Sequence, residues 1–274
     1  MIAVTVELRE LHERHPAKPG RVDVKLGDAV LLSTANGLEA GHVVELEKTV
    51  DDKDMEIRII RILNDDDLRV LKENKKHARK IYPEIEKTIE QEKLNMKLTK
   101  IAYTYDRQKL FIYYTADTRV DFRKFIRMLG SRLKVRIQMV QIGVRDNALI
   151  VGGMGICGRE ICCHTFLRNI ESVNIEMARN QQVSLNPENI SGRCGRLLCC
   201  LRYENDCYLK VKDEMPNIGQ KVVTPEGKGE IINIHYLKET VKVKLKNGAI
   251  LEFKACDVKT AVTSKIGKWI KPGS

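Results

Sequence analysis

Apolar and polar positions alternate with a period of two near the start of this 274-residue chain, and again near its end. Val22, Val24 and Leu26 alternate with charged residues. Gly27-Asp28-Ala29-Val30 opens a further strand, Asn36-Gly37 is a hairpin signal, and Gly41 precedes His42-Val43-Val44. The stretch from Gly219 to Thr260 repeats this grammar. A turn at Pro225-Glu226-Gly227 follows Val222-Val223, Lys242–Leu245 alternates, and Asn247-Gly248 makes a second hairpin turn before Ile250–Phe253. Runs of short strands of this kind predict a small SH3-like barrel at each end.

The period changes in between. Met55, Ile57 and Ile59 alternate as a strand, and Asn64 caps a helix whose first turn carries Asp65, Asp66 and Asp67. That helix is expected to run towards Leu94, with a kink before Pro83. Ile101, Tyr103 and Tyr105, then Leu110, Ile112 and Tyr114, form two strands joined at Asp106-Arg107-Gln108-Lys109. Thr118-Arg-Val-Asp121 reads as a capping box for a helix with Phe122, Phe125, Ile126, Leu129 and Leu133 on one face. Val135, Ile137 and Met139 make the next strand. The order β-α-β-β-α-β predicts a ferredoxin-like domain, although its first strand could instead join the N-terminal barrel.

The expected class is α+β, in four parts: an N-terminal barrel-like segment over 1–54, a ferredoxin-like α/β domain over 55–150, a cysteine-rich module over 151–214, and a C-terminal SH3-like barrel with a basic tail over 215–274. No apolar run is long enough to cross a bilayer. Met1-Ile-Ala-Val-Thr-Val-Glu has no basic stretch ahead of an apolar one, so no signal peptide is expected and a cytoplasmic location is.

The cysteines carry the chemistry. Cys-Gly-Arg-x-x-Cys-Cys occurs twice, at Cys157 to Cys163 and at Cys194 to Cys200, so six of the eight cysteines fall in two short windows. In a reducing compartment such clusters favour metal or redox chemistry over disulfides, and adjacent pairs are poor disulfide partners. The candidate ligands are Cys157, Cys162, Cys163, Cys194, Cys199 and Cys200, with Cys207 in reserve if its segment is helical. Arg159 and Arg196 are placed to lower thiolate pKa and offset cluster charge. An iron–sulfur cluster, of the four-iron type, suits the excess of thiols. Zinc is the alternative, although paired cysteines in zinc sites are usually spaced by two to four residues. A thiol oxidoreductase is a third reading, against which stands the absence of Cys-x-x-Cys. His164 follows the first pair, but the second copy has Leu201 there. Cys256 reads as a small buried apolar residue, and Asp146 as the anchor of a turn. The Gly152-Gly153-Met154-Gly155 run is expected to pack closely beside the cysteines, not to cradle phosphate. No signature of paired catalytic carboxylates or of a nucleophile–base pair emerges.

The formal charge of +11 adds a second theme. Arg119, Arg123, Lys124, Arg127, Arg132, Lys134 and Arg136 fall within eighteen residues, offset nearby by Asp117 and Asp121. Arg119, Arg123, Lys124 and Arg127 are the candidate surface for RNA or for an acidic partner.

Several separated segments also resemble one family. Gln141-Ile-Gly-Val-Arg-Asp146, Gly152 to Arg159, Ser184-Leu-Asn-Pro187, Ile190-Ser-Gly192 and the second cysteine motif through Tyr203-Glu-Asn205 are similar to the RicT (YaaT) family of bacterial regulatory proteins. Phe111 to Phe125, with Tyr114-Thr-Ala-Asp117 and Arg119-Val-Asp121-Phe-Arg123, resembles that family's polymerase-suppressor-type C-terminal domain. The resemblance spans roughly residues 20 to 260. It implies a cytosolic, non-enzymatic adaptor acting with small helical partners of the YlbF and YmcA types, in a complex associated with four-iron clusters. It further implies assistance to the endoribonuclease RNase Y in maturing transcripts, and an influence on sporulation, competence and biofilm formation. The six motif cysteines carry over as a set, without individual assignment of ligands.

Overall fold

The computed structural model describes residues 3–8, 13–47 and 56–260. Met55 and the basic tail beyond Thr260, both parts of the expected layout, lie outside the described residues. The chain forms two compact units, Met1–Arg168 with Arg193–Arg196, and Asn169–Gly192 with Leu197–Ser274.

The first unit begins with β1 (Ala3–Leu8), β2 (Arg14–Lys18), β3 (Ala29–Thr34) and β4 (Gly37–Glu47). These close into a five-stranded barrel, in the order β1-β2-β5-β3-β4, with β5 (Ile57–Ile62). Val4, Val6, Val30, Leu32, Val43 and Ile59 fill it. The β3–β4 turn falls at Ala35-Asn36, where the hairpin signal lies. β5 is the strand expected to open a ferredoxin-like sheet. It pairs instead with β3 antiparallel and β2 parallel, so the four-stranded arrangement is not formed. Closing the barrel removes an open edge and sinks Ile59 into its core.

A three-stranded sheet remains: β6 (Lys97–Tyr103), β7 (Lys109–Thr115) and β8 (Arg136–Gln141). β6 and β7 are antiparallel, and β7 and β8 are parallel across the helix α2 (Arg123–Leu133). The helix α1 (Asp65–Gln91) puts Ala78, Ile81, Ile85 and Ile89 on one stripe. That stripe meets Leu98, Ile101, Leu110 and Ile112 of the sheet and Phe125 and Leu129 of α2. Each large side chain buried here contributes roughly 2 kcal/mol. On the other face Ala102, Phe111, Tyr113 and Ile142 form a second cluster with Ile150, on the helix α3 (Val144–Val151). Central β7 is therefore covered on both sides, which is why its sequence runs apolar without interruption.

Helix ends follow local chemistry. Asn64 caps α1 as expected: its side chain accepts from Asp67 N–H at 2.9 Å, and the Asp67 carboxylate accepts from Asn64 N–H at 2.9 Å. α1 continues through Pro83, which sits on the exposed side, and ends at Gln91, short of Leu94. The capping box expected at Thr118–Asp121 does not form. Asp121 instead accepts from the backbone and guanidinium of Arg123, and α2 starts at that residue with no side-chain cap. Asp146 does anchor a turn, accepting from Gly143 N–H at 3.2 Å at the start of α3.

The second unit holds α5 (Ile175–Asn180), α6 (Pro187–Ile190) and α7 (Cys199–Glu214), packed through Ala178, Ile190 and Leu201. It ends in a five-stranded antiparallel sheet of β9 (Lys221–Thr224), β10 (Gly227–His235), β11 (Thr240–Leu245), β12 (Ile250–Lys254) and β13 (Lys259–Thr260). Its order is β12-β11-β10-β9-β13, with the last strand returning beside the first after a 3-10 turn at Ala255–Asp257. Val222, Ile231, Ile234, Val241 and Val243 form its core.

Candidate functional site

The two cysteine motifs fold alike, residue for residue, at an offset of 37 (Cys157 to Cys194). An isolated bridge pairs Met154 with Glu160 in the first copy and Ser191 with Leu197 in the second. Ile161 N–H donates to Gly153 O at 3.0 Å, and Leu198 N–H donates to Ile190 O at 2.9 Å. Gly158 and Gly195 have φ of 75° and 74°, the left-handed region where a Cβ is strained. A Cβ at either glycine would have open space around it, so backbone conformation, not crowding, calls for glycine there.

Each tight loop then delivers its vicinal pair to a helix start. Cys162 and Cys163 open the short helix α4 (Cys162–Thr165), and Cys199 and Cys200 open α7. Arg168 closes the far end of α4 by donating to the carbonyls of Cys163, His164 and Thr165 at 2.7, 3.0 and 3.1 Å.

In the first unit Cys163 is buried, Cys162 and Cys194 are half-buried, and Cys157 is exposed. Burial pushes the Cys163 thiol up, the neighbouring Cys194 and Cys162 add to the rise, and Arg145 opposes it. Cys162, Cys194 and Arg145 therefore all lie near Cys163. The Arg145 Nε is buried and has no hydrogen-bond partner. Arg145 is the residue that sequence reasoning missed. Its one signal was its place beside Asp146, whose carboxylate starts α3 and so fixes the helix that carries it. Arg159 and Arg196, the arginines expected to do this, are both exposed.

The glycine-rich run packs closely, as expected, although mostly against other partners than sulfur. A Cβ on Gly153 would lie 3.0 Å from the Arg193 guanidinium, and one on Gly152 would lie 3.5 Å from the His164 ring. Only Gly155 approaches sulfur, with its Cβ position 3.5 Å from Cys157 Sγ. His164 is committed elsewhere: Nδ1 meets Leu149 O at 2.6 Å and Nε2 faces Glu160 at 3.4 Å. Its counterpart Leu201 is buried in an apolar cluster.

In the second unit Cys199 and Cys200 are half-buried. Cys207 is exposed on α7, two turns beyond Cys200 and about 10.5 Å along the axis at the usual helical rise. Cys256, expected to be buried, is exposed in a 3-10 turn, with Sγ 3.7 Å from Asp257. No disulfide joins any of the eight.

The donor set suits a soft, thiolate-bound group, and the unpartnered Arg145 Nε suits the negative charge such a group carries. Among the described residues no three cysteine, histidine or carboxylate side chains stand together as a ready ligand cage. The fit is therefore one of chemistry and proximity.

The basic candidates on α2 are largely spoken for. Arg123 pairs with Asp121 at 2.8 Å and Lys124 with Glu92 at 2.7 Å, and Arg132, further along the helix, pairs with Glu84. Arg127 Nε donates to Arg123 O at 3.3 Å, and Arg119 is exposed. Among the described residues no helix is long and apolar enough to cross a membrane.

Comparison with known proteins agrees with this anatomy. Residues 57–142 match the family described as the PSP1 C-terminal conserved region, and residues 172–215 match the PSP1-like protein, third domain. The chain is 42% identical over 232 residues to the Stage 0 sporulation protein YaaT of Bacillus subtilis (strain 168), an alignment covering 84% of each chain. No solved structure matches.

Proposed function

We propose, since the chain belongs to the YaaT family, that it is a non-enzymatic regulatory adaptor of the cytoplasm whose cysteine motifs hold an iron–sulfur cluster. The observation that carries this reading is the repeated tight loop that delivers a vicinal cysteine pair to a helix start, Cys162-Cys163 in one copy and Cys199-Cys200 in the other. Cys157, Cys162, Cys163, Cys194, Cys199 and Cys200 are the ligands on offer as a set, without individual assignment. A four-iron cluster takes four thiolates and would supply redox and oxygen sensitivity when bound. This chain's own residues present the vicinal pairs at helix starts, shield Cys163 from water, and set Arg145 near it.

The name of the YaaT relative supports a sporulation-related role. The resemblance to its family extends the proposal to YlbF- and YmcA-type partners, to assistance of RNase Y in transcript processing, and to competence and biofilm control. The test is iron, acid-labile sulfide and zinc content after purification without oxygen. Iron and sulfide in equal amounts, lost together with partner binding when Cys199 and Cys200 are both replaced by alanine, is the expected result. Stoichiometric zinc without sulfide replaces the cluster with a zinc-stabilised module. Lost iron with unchanged partner binding removes the link between cluster and assembly.

A further inference from the structure

We propose that the middle of α1, not α2, is an RNA-docking strip that leads single-stranded bases into the neighbouring cleft. Lys72, Lys75, Lys76, Arg79 and Lys80 recur at i, i+3, i+4, i+7 and i+8, and so share one exposed face of α1. The opposite stripe is the buried one, through Asn74, Ala78, Ile81 and Ile85. None of the five forms an ion pair with a described residue. Glu73, the sole acid between Leu68 and Pro83, faces Arg107 at 3.6 Å. Lys72 with Lys76, Lys75 with Arg79, and Lys76 with Lys80 are like-charge pairs one turn apart, each a small cost to the helix. A repulsive stripe with no internal counter-charge calls for an external anion. α2 differs in this respect, because its Arg123 and Lys124 are already neutralised by Asp121 and Glu92.

The second observation separates RNA from an acidic protein. Lys75 and Arg79 also line a cleft of about 680 Å³ with Lys100, Tyr103 and Gln138. That volume lies within the range that holds small ligands. Several polar groups there are occupied: Lys100 is engaged, Asn74 donates to the carbonyls of Thr104 and Tyr105, Tyr82 to Leu98 O, and Thr99 to Asn147. Tyr103, half-buried against the core and with its ring 5.4 Å from His77, is one of the aromatic rings lining the cleft beside the basic strip. Cations followed by an aromatic ring in a cleft is how single strands are held, phosphates on the former and bases on the latter. An acidic helix would use only the strip. Glu13 and Glu39 also line the cleft, on the side contributed by the barrel.

This inference deepens the RNA-processing part of the proposed function and does not depend on the cysteines. The experiment is anisotropy of a short fluorescent single-stranded RNA against the full chain over a salt series, with circular dichroism as the check on folding. The combined Lys75→Gln, Lys76→Gln, Arg79→Gln variant should bind at least about tenfold more weakly, and its slope of log affinity on log salt should fall by about 2, near 0.7 for each phosphate that is no longer neutralised. Tyr103→Leu should weaken binding about tenfold with the slope unchanged. Arg123→Gln with Lys124→Gln should stay close to the native chain. The proposal is overturned if the native chain does not bind the RNA or if the triple variant binds like it. Polyglutamate bound in place of RNA, and released by that variant, would reassign the strip to an acidic protein. Failure here leaves iron and sulfide content untouched, so it is distinguishable from failure of the cluster.

Discussion

The Asp67 carboxylate, buried at the third position of α1, accepts both prongs of the Arg61 guanidinium from β5, with Nη2 to Oδ1 at 2.8 Å. The same carboxylate accepts from Asn64 N–H and from the Tyr105 hydroxyl. One side chain thus fastens a barrel strand, a helix start and the turn between β6 and β7.

Replacing Asp67 with Asn should cost about 2 kcal/mol in urea unfolding, the low end for charged hydrogen bonds, since the Arg61 side chain is 43% exposed and partly screened. The Arg61 hydrogen bond, helped by Tyr105, holds the Asp67 carboxyl well below the usual carboxylate range despite its burial. Its stabilisation is therefore complete above the ordinary value of about 4 and is lost as pH falls towards the depressed one. Unfolding free energies of the two proteins should differ by a constant amount near neutrality and converge in acid. Parallel curves down to low pH would remove the coupling.

His164→Leu should leave metal content unchanged and alter stability by no more than about 1 kcal/mol. It loses one hydrogen bond to Leu149 O, and it adopts the side chain that the second copy already buries at Leu201. Metal analysis with a thermal melt checks this, and a fall in iron would make His164 a ligand.

Gly229→Ala should destabilise the protein by about 1 to 3 kcal/mol. A Cβ there would stand 2.5 Å from Val243 Cγ1 and 2.6 Å from Lys244 O, and the latter is backbone within a ladder. Gly130→Ala is the contrast: it lies inside α2 with its nearest neighbour 3.8 Å away, so it should stabilise by about 0.5 to 1 kcal/mol. Melting temperatures moving the same way for both would contradict the packing.

Local chemistry made much of this fold legible. The Asn64 cap, the turns at Asn36 and Asn247-Gly248, and the paired cysteine motifs all rest on residues within a few positions of one another. The misreadings involve competition or distance. Asp121 had two possible partners, and Arg123 took it from the capping box. β5 carries an alternation that suits either sheet, and only long-range pairing with β2 and β3 decides between them. Arg145 gave no sign of its buried Nε, because nothing in its own segment announces the nearby Cys163. Lys124 of α2 pairs with Glu92, a carboxylate 32 residues earlier that no local pattern announces.

The strand β5 has an outcome for how such chains are cut and compared. The match to the PSP1 C-terminal conserved region begins at Ile57, the first residue of that strand. The matched segment and the barrel it enters therefore have different edges. A fragment excised along the line of homology would carry away one stave of the barrel, leaving the Val30, Leu32 and Val43 core open and Ile59 stranded on the other piece.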